Sequence, residues 1–266
     1  MDFKQIIYEK RDHKAYITLN RPEVLNAFSM QMQAELKRAW ADVKQDRNVH
    51  VVILTGAGDR SFCSGVDRND PDRERVRLDL PKDTWHIEIP GSMLASKQNG
   101  VYKPVITAVN GICSGGAFYF LYDSDITICS ENATFFDPHV TYGQVAALEP
   151  VGMLRKIPLG EVIRIALMGM AERVGAKKAL QIGLVTEVVA QDKLMETANQ
   201  MADVIASAPP MAIQGTLQAI WHALETGRAS SLEAAKVFII AQNVFRDVEG
   251  GEKKFQTKDR PQWRLR

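Results

Sequence analysis

Apolar positions follow two different periods at the start of the chain. Residues 6–22, "IIYEKRDHKAYITLNRP", read as two short strands with charged residues at the turn and a stop at Pro22. Residues 29–49 instead place apolar side chains at helical spacing, and Ser29 is suited to cap that helix. The apolar series consists of Met30, Ala34, Leu36, Ala39, Trp40 and Val43. The pattern predicts two strands followed by a helix.

Short apolar runs recur further along, with helical segments between them. They are "HVVILTGAG" at 50–58, "VYKPVITAVNG" at 101–111, "DITICS" at 125–130 and "ALQIGLVTEVVA" at 179–190. The order is a repeated ββα with few hairpin signals, which indicates parallel strands joined by helical crossovers. We therefore predict an α/β fold.

The pattern changes after about residue 192. Residues 192–208, 209–227 and 231–247 read as three helices with no strand between them. Their apolar faces are wider than a peripheral appendage needs, so we expect them to pack on the core or on another subunit. The sequence thus divides into a core of residues 1–192 and a C-terminal helical region of residues 193–266.

Residues 68–95 are charged and interrupted by prolines. We interpret them as a lid that brings Trp85 to a pocket, with His86 as a weak candidate for a role in the chemistry. An ordinary surface loop is the alternative.

Composition narrows the class of protein. A formal net charge of +1 gives no sign of a nucleic-acid surface or a polybasic membrane anchor. Cys63, Cys113 and Cys129 are widely spaced and form no CxxC pair, which argues against a disulfide framework or a zinc site. The charged N-terminus lacks the apolar stretch of a signal peptide, and no apolar run reaches the roughly 18–20 residues of a membrane span. We expect a cytoplasmic protein that binds neither nucleic acid, nor membrane, nor metal.

Two glycine-containing turns follow predicted strands. "SFCSGVD" at 61–67 and "NGICSGG" at 110–116 each place small residues where a strand ends, and the second turn leads into the helical run "AFYFLYDSD". The amides of Val66 and Gly116 are therefore candidates to hold one developing oxyanion together. The alternative is that both are tight turns that simply need glycine.

Four segments together resemble a known family. They are "LNRPEVLNAFSMQM" at 19–32, "VVILTGAGDRSFCSGVD" at 51–67, residues 103–143, and "ERVGAKKALQIGLVTEVV" at 172–189. In order and spacing they resemble the signature segments of the enoyl-CoA hydratase/isomerase (crotonase) superfamily, from about residue 5 to about residue 260. The resemblance implies a crotonase-type spiral of ββα units with a C-terminal helical trimerisation region, and a homo-oligomer that is a trimer or a dimer of trimers.

The same resemblance implies an acyl-CoA substrate and no tightly bound cofactor, since coenzyme A enters as part of the thioester. The thioester oxygen would be held by the Val66 and Gly116 amides. The adenine and pantetheine would lie near "RPEVLNA" and "CSGVDR", and Lys254 or Lys258 would meet a CoA phosphate. Within those two segments the candidate CoA-binding residues are Val24, Ala27, Ser64, Val66 and Asp67.

The chain departs from the family at both positions where hydratases carry glutamate. Tyr119 and His139 stand there instead. Histidine acts as a general base near neutral pH, and a phenol is a hydrogen-bond donor. Glu149 follows His139 by ten residues, in a segment that reads as a loop; a carboxylate that holds the ring would fix its tautomer. Asp137 is a second candidate to cap or orient His139.

Three hypotheses remain open from the sequence. The first is an acyl-CoA enzyme that hydrates, isomerises or cleaves a carbon–carbon bond through an enolate held by the two amides. The second is a β-diketone hydrolase that uses His139 with Glu149. This hypothesis comes from a resemblance to the superfamily's carbon–carbon-bond hydrolases. The third is a catalytically silent acyl-CoA-binding protein that keeps the pocket and has lost the acid and base.

Overall fold

The structure is a computed structural model that describes residues 2–72, 91 and 93–245. It confirms the predicted α/β fold, with strands and helices alternating up to Val189 and helices following it. Both strands expected in residues 6–22 are present, as are those expected in the four later apolar runs.

Six strands form the larger of two sheets. In their order across the sheet they are β1 (Ile6–Arg11), β2 (Lys14–Leu19), β3 (Val51–Gly56), β5 (Val105–Val109), β7 (Ile126–Ser130) and β10 (Glu187–Val189). The first two strands pair antiparallel, and every later pair is parallel, as the scarcity of hairpin signals predicts. All six residues of β3 are buried, which suits a parallel strand covered on both faces.

The smaller sheet contains four very short strands that the sequence pattern does not reveal. They are β4 (Ser61–Cys63), β6 (Ile112–Ser114), β8 (Thr134–Phe136) and β9 (Val174–Gly175). After each of β3, β5 and β7 the chain leaves the larger sheet and its next strand joins the smaller one. Successive units therefore stack, and corresponding corners of the chain lie beside one another.

Eight α-helices within the described residues complete the fold. They are α1 (Met30–Gln45), α2 (Phe118–Asp123), α3 (Leu148–Met153), α4 (Leu159–Met168), α5 (Ala176–Gln181), α6 (Leu194–Ala206), α7 (Pro210–Glu225) and α8 (Arg228–Phe245). Ser29 caps α1 as predicted, because its hydroxyl accepts the Met32 N–H at 3.0 Å. The three C-terminal helices are also confirmed, and α6 packs on the larger sheet through Leu194, Ala198 and Ala202.

Asn110 joins two neighbouring corners of the chain. Its amide nitrogen donates to the carbonyls of Gly56 and Gly58 at 2.9 and 2.7 Å, and its Oδ1 accepts the Gly56 N–H at 3.2 Å. The corner after β5 is thereby fixed to the corner after β3. These corners lead into the two glycine turns that carry Gly65 and Gly116, so Asn110 sets the spacing between those turns.

We expect Asn110→Ala to lower the free energy of unfolding by about 3 kcal/mol, because it leaves several buried backbone groups without partners. Asn132→Ala is the matched control, since the Asn132 amide makes an exposed hydrogen bond to the Asp59 carbonyl. That control should change stability by about 0.5 kcal/mol or less. Urea unfolding measures both, and equal losses in the two variants would contradict the role assigned to Asn110.

Candidate active site

The backbone N–H of Val66 faces away from Phe28, the residue with which Val66 forms an isolated β-bridge. Phe28 donates its N–H to the Gly65 carbonyl at 2.9 Å and accepts the Asp67 N–H at 2.8 Å, forming a parallel bridge with Val66. In such a bridge the bonds use the residues on either side, so the N–H of Val66 itself points to the opposite side. It is therefore available to a ligand oxygen there.

Gly116 provides a second amide beside the first. It is the second residue of the 3-10 helix Gly115–Ala117, so no carbonyl inside the helix accepts its N–H. Gly65 has a φ of +95°, and a methyl group placed on it would lie 3.3 Å from the Gly116 nitrogen. The Val66 and Gly116 segments are thus in close contact, as an oxyanion site requires.

Both amides border a cavity of about 510 Å³. Its lining consists of Phe28, Val66, Gly116, Tyr119, His139, Gln144, Val145, Ala147, Leu148 and Glu149. All five predicted catalytic residues are in this set, although 83 positions separate Val66 from Glu149 in the sequence. Phe28 and the wall formed by Gln144 to Leu148 were not predicted.

His139 is held by the aspartate two residues before it. Its Nδ1 lies 2.5 Å from Asp137 Oδ1, and its backbone N–H donates to the same oxygen at 3.0 Å. A methyl group on Gly115 would lie 3.7 Å from His139 Cε1, which places the ring against the glycine turn. The weaker of the two candidate partners in the sequence, Asp137, is therefore the one in direct contact with the ring.

Glu149 approaches the other side of the same ring. Its Oε1 lies 3.9 Å from His139 Nε2. The prediction that Glu149 lies in an exposed loop is wrong: it belongs to the first turn of α3 and is only 3% exposed. The sequence hid this because α3 spans six residues and contains Pro150, so it has no readable helical period.

Tyr119 lies beside Glu149 and is almost fully buried. Burial, together with the charge of Glu149 and a hydrogen bond to it, keeps the pKa of Tyr119 well above its ordinary value. The phenol therefore keeps its proton beside the carboxylate. Gly91 packs on the same ring, where an added methyl group would lie 2.2 Å from Tyr119 Cε2.

The charges around His139 favour its protonated form. The hydrogen bond to Asp137 raises the pKa of His139 above its ordinary value, and the charges of Asp137 and Glu149 act in the same direction. Partial burial and the positive charge of Arg68 oppose this rise. The site consequently contains an imidazole ring that favours its protonated form, between the buried carboxylates of Asp137 and Glu149.

The residues predicted to bind CoA lie on two segments that contact each other. The Ser64 N–H donates to the Leu25 carbonyl at 3.1 Å, which joins the segment of Val24 and Ala27 to that of Val66. Asp67 pairs with Arg21, at 2.8 Å between Oδ2 and Nη2, and this ion pair also joins the two segments. Of the five predicted residues, Val66 is the one that lines the cavity.

Several predicted residues fall elsewhere. Trp85, His86, Lys254 and Lys258 lie outside the described residues, and so does most of the 68–95 segment. Within the described residues, Cys63, Cys113 and Cys129 are buried free thiols. In the same part of the chain we find no helix with the length and hydropathy of a membrane span.

Asp137, His139 and Glu149 have the spacing of a possible metal centre, since donor atoms of all three lie within 4.8 Å of one another. His139 Nδ1 and Asp137 Oδ1 are bonded to each other, which leaves Nε2 and the Glu149 carboxylate facing a shared point. Resident catalytic metals usually take three or more protein ligands. The arrangement therefore fits proton transfer better than metal binding.

Comparison with known proteins identifies the family of the chain. A model of the enoyl-CoA hydratase/isomerase family matches residues 9–266. An (E)-benzylidenesuccinyl-CoA hydratase from Thauera aromatica is 36% identical over 217 residues, covering 80% of this chain and 81% of that protein. A mevalonyl-coenzyme A hydratase from Aspergillus fumigatus is 33% identical over 259 residues, covering 95% and 92%.

Solved structures show the same fold. A crystal structure of an enoyl-CoA hydratase/isomerase from Mycobacterium paratuberculosis superposes with a TM-score of 0.86 at 39% identity and covers 99% of both chains. An enoyl-CoA hydratase from Bacillus anthracis gives a TM-score of 0.85 at 27% identity, covering 98% of this chain and 99% of that one. The family model spans most of the chain and both relatives exceed 30% identity. The chain therefore belongs to the enoyl-CoA hydratase/isomerase family, whose members act on acyl-CoA.

Proposed function

We propose that the protein adds water to the double bond of an α,β-unsaturated acyl-CoA thioester, with His139 and Glu149 as its acid/base pair. The observation that carries this proposal is the distance of 3.9 Å between His139 Nε2 and Glu149 Oε1, in the cavity that also holds the Val66 and Gly116 amides. Two hydrogen bonds of about 2.8 Å meet at one water when their far ends are separated by this distance. A single water is thereby placed for attack.

The roles within the pair follow from the surroundings of His139. His139 lies between two carboxylates, and the hydrogen bond to Asp137 favours its protonated form. The protonated ring is the member of the pair that can supply a proton to the substrate, so His139 is the acid. Glu149, whose carboxylate approaches Nε2, is then the base that takes a proton from water.

Every proton is accounted for in both hydration and dehydration. Water gives its proton to Glu149 and its hydroxide to Cβ, and His139 Nε2–H protonates Cα. The pair then holds one proton on Glu149, and its transfer to His139 restores the starting state. Dehydration uses the reverse assignment, so the active form carries one shared proton whichever way the reaction runs.

The two backbone amides stabilise the intermediate. Attack at Cβ places negative charge on the thioester oxygen, and Val66 and Gly116 each donate an N–H to it. The CoA portion extends from Val66 toward Val24, Ala27, Ser64 and Asp67, on the two segments joined there. Both curated relatives above are named as CoA-ester hydratases, which supports hydration over isomerisation for this chain.

Self-association is part of the proposal. α7 and α8 expose several large apolar side chains, which are Ile220, Leu224, Leu232, Val237, Ile239, Ile240 and Val244. Apolar surface of this extent supports burial against other copies of the chain, in a trimer or a dimer of trimers.

Two further expectations remain predictions. They are the division into a core of residues 1–192 and a helical region of residues 193–266, and a cytoplasmic location.

One observation favours a second function. A histidine held by a buried carboxylate, as His139 is by Asp137, also suits activation of water against a ketone. A β-diketone hydrolase would use the same His139 and Glu149, with the amides holding the enolate released by carbon–carbon cleavage. The catalytically silent binder would need neither group, and the approach of the buried Glu149 to the half-buried His139 ring argues against it.

Turnover of three ligands separates these functions. We expect the wild-type protein to hydrate a short-chain trans-2-enoyl-CoA, measured as loss of the absorbance of the conjugated thioester, and to leave a cyclic β-diketone unchanged. Cleavage of the free diketone without binding of CoA esters would establish the hydrolase instead. Micromolar binding of enoyl-CoA by calorimetry with no turnover across short and long acyl chains would identify the silent binder.

A further inference from the structure

Asp137 is bound to His139 through one oxygen and is otherwise enclosed. Oδ1 accepts the backbone N–H of His139 and also lies 2.5 Å from the ring Nδ1. The aspartate is 1% exposed, and Oδ2 is buried with no hydrogen-bond partner among the described residues. Within that part of the chain, its charge is therefore compensated by His139 rather than by a network of other donors.

The cavity next to Asp137 offers no donor or opposite charge for the carboxylate among the described residues. Asp137 lines a small cavity whose other walls are apolar, formed by Phe118, Pro150, Met153, Ile157, Val162, Ile165 and Ala166. A buried carboxylate is costly unless a hydrogen bond or an opposite charge stabilises it. The surroundings therefore favour a state in which the Asp137 carboxylate receives a proton-bearing Nδ1 from the ring.

The other groups facing His139 come from three different segments. Glu149 of α3 approaches Nε2, Tyr119 of α2 lies beside Glu149, and Arg68 follows the Val66 turn and supplies the positive charge near the ring. None of these contacts engages Nδ1, which is occupied by Asp137 alone among the described residues. The two ring nitrogens are thus assigned to different partners.

We propose that Asp137 is a positioning residue that holds neutral His139 as the Nδ1–H tautomer, directs Nε2 toward the water beside Glu149, and stabilises the ring when it is protonated. This inference rests on the proposed function for its kinetic meaning, but the tautomer itself is a property of the free protein. The His139 backbone N–H donates to the same oxygen and so holds the Asp137 carboxylate in place beside the ring. The ring therefore keeps its contact with Asp137 through Nδ1.

The first test reads the tautomer directly in the wild-type protein. Nitrogen-15 NMR of the imidazole rings distinguishes Nδ1–H from Nε2–H in the neutral form, and substituting His139 by glutamine assigns its signals. We expect His139 to be protonated at Nδ1 above its titration midpoint. A neutral ring protonated at Nε2 would overturn the proposal. This measurement requires neither substrate nor turnover, so it stands even if the chain does not hydrate enoyl-CoA.

The second test changes the charge of Asp137 while preserving its shape. In Asp137→Asn the NMR midpoint of His139 should fall by about one pH unit or more, because an opposite charge in contact has been removed. Asp59→Asn is the matched control on an exposed aspartate and should leave the midpoint unchanged. An unchanged His139 midpoint in a folded Asp137→Asn protein would overturn the proposal.

The pH–rate profile gives the functional counterpart. His139 must be protonated to act as acid, and its raised pKa keeps it so to higher pH; hydration is therefore present below that pKa and lost as pH rises through it. In Asp137→Asn we expect this alkaline limb at lower pH and kcat lower by about 10²-fold or more, with the Kd for a saturated acyl-CoA unchanged. An alkaline limb that stays in place would contradict the coupling between the two residues. If no variant hydrates enoyl-CoA, the proposed function fails and the NMR result alone decides the positioning role.

Discussion

Glu149→Gln is expected to lower kcat for enoyl-CoA hydration by about 10³-fold, within the range of about 10²–10⁴ that a general base contributes. The amide keeps the volume of the carboxylate, but it cannot take a proton from water. The KM should change little, because Glu149 meets the attacking water rather than the CoA portion. Steady-state kinetics with a short-chain enoyl-CoA measures both quantities.

The matched control for this substitution is Glu131→Gln, which alters an exposed glutamate in the turn between β7 and β8 and should leave kcat within about twofold of wild type. His139→Gln should produce a loss similar to that of Glu149→Gln. Because the two residues share one proton, the double variant should lose far less than the product of the two single losses. Full additivity, or an unchanged kcat in either single variant, would show that the pair does not operate as described.

Gly65→Ala is expected to lower kcat by about 10²–10³-fold through displacement of the oxyanion amides. Gly65 has a φ of +95°, which an L-residue rarely adopts, and its added methyl group would lie 3.0 Å from the Ser114 carbonyl oxygen. Either the Val66 amide rotates or the Gly115–Gly116 turn moves. In both cases the two N–H groups cease to converge on one oxygen. The strain should also lower the free energy of unfolding by about 1–3 kcal/mol.

Kinetics, acyl-CoA binding and thermal unfolding should be measured on the same preparation. A folded Gly65→Ala protein that binds a saturated acyl-CoA normally but turns over slowly would identify a defect in the transition state. Gly160→Ala is the control, because among the described residues no atom outside the adjoining part of α4 lies within 4 Å of the added methyl group. Wild-type kcat in Gly65→Ala would mean that the Val66 and Gly116 amides do not hold the intermediate.

Local sequence patterns predicted the elements with a readable period. Residues 29–49 carry both an apolar stripe and the Ser29 cap, and α1 begins where that cap predicts. The strands of the smaller sheet were missed because three residues contain too few positions to show alternation. Their pairing depends on corners such as that of Asn110, whose partners lie more than fifty residues away.

The candidate site was predictable in part. Val66 and Gly116 follow apolar strands, so their turns could be located, and the family resemblance brought Tyr119 and His139 to the same place. The sequence shows Asp137 two residues before His139. Its contact with Nδ1, however, requires the turn at Pro138, which leads into the 3-10 helix His139–Tyr142. The burial of Glu149 and the packing of Gly91 on Tyr119 depend on tertiary contacts that no local pattern encodes.

The bridge between Phe28 and Val66 has a consequence for how this site can change over time. The group that we propose holds the thioester oxygen there is a main-chain N–H, fixed by hydrogen bonds between backbone atoms on either side of it. Side chains at those positions can be exchanged without removing the N–H. The proton-handling groups, in contrast, are side chains that a single codon change replaces. A chain built this way can exchange its acid/base side chains while it keeps the main-chain N–H groups that we propose stabilise the anionic intermediate.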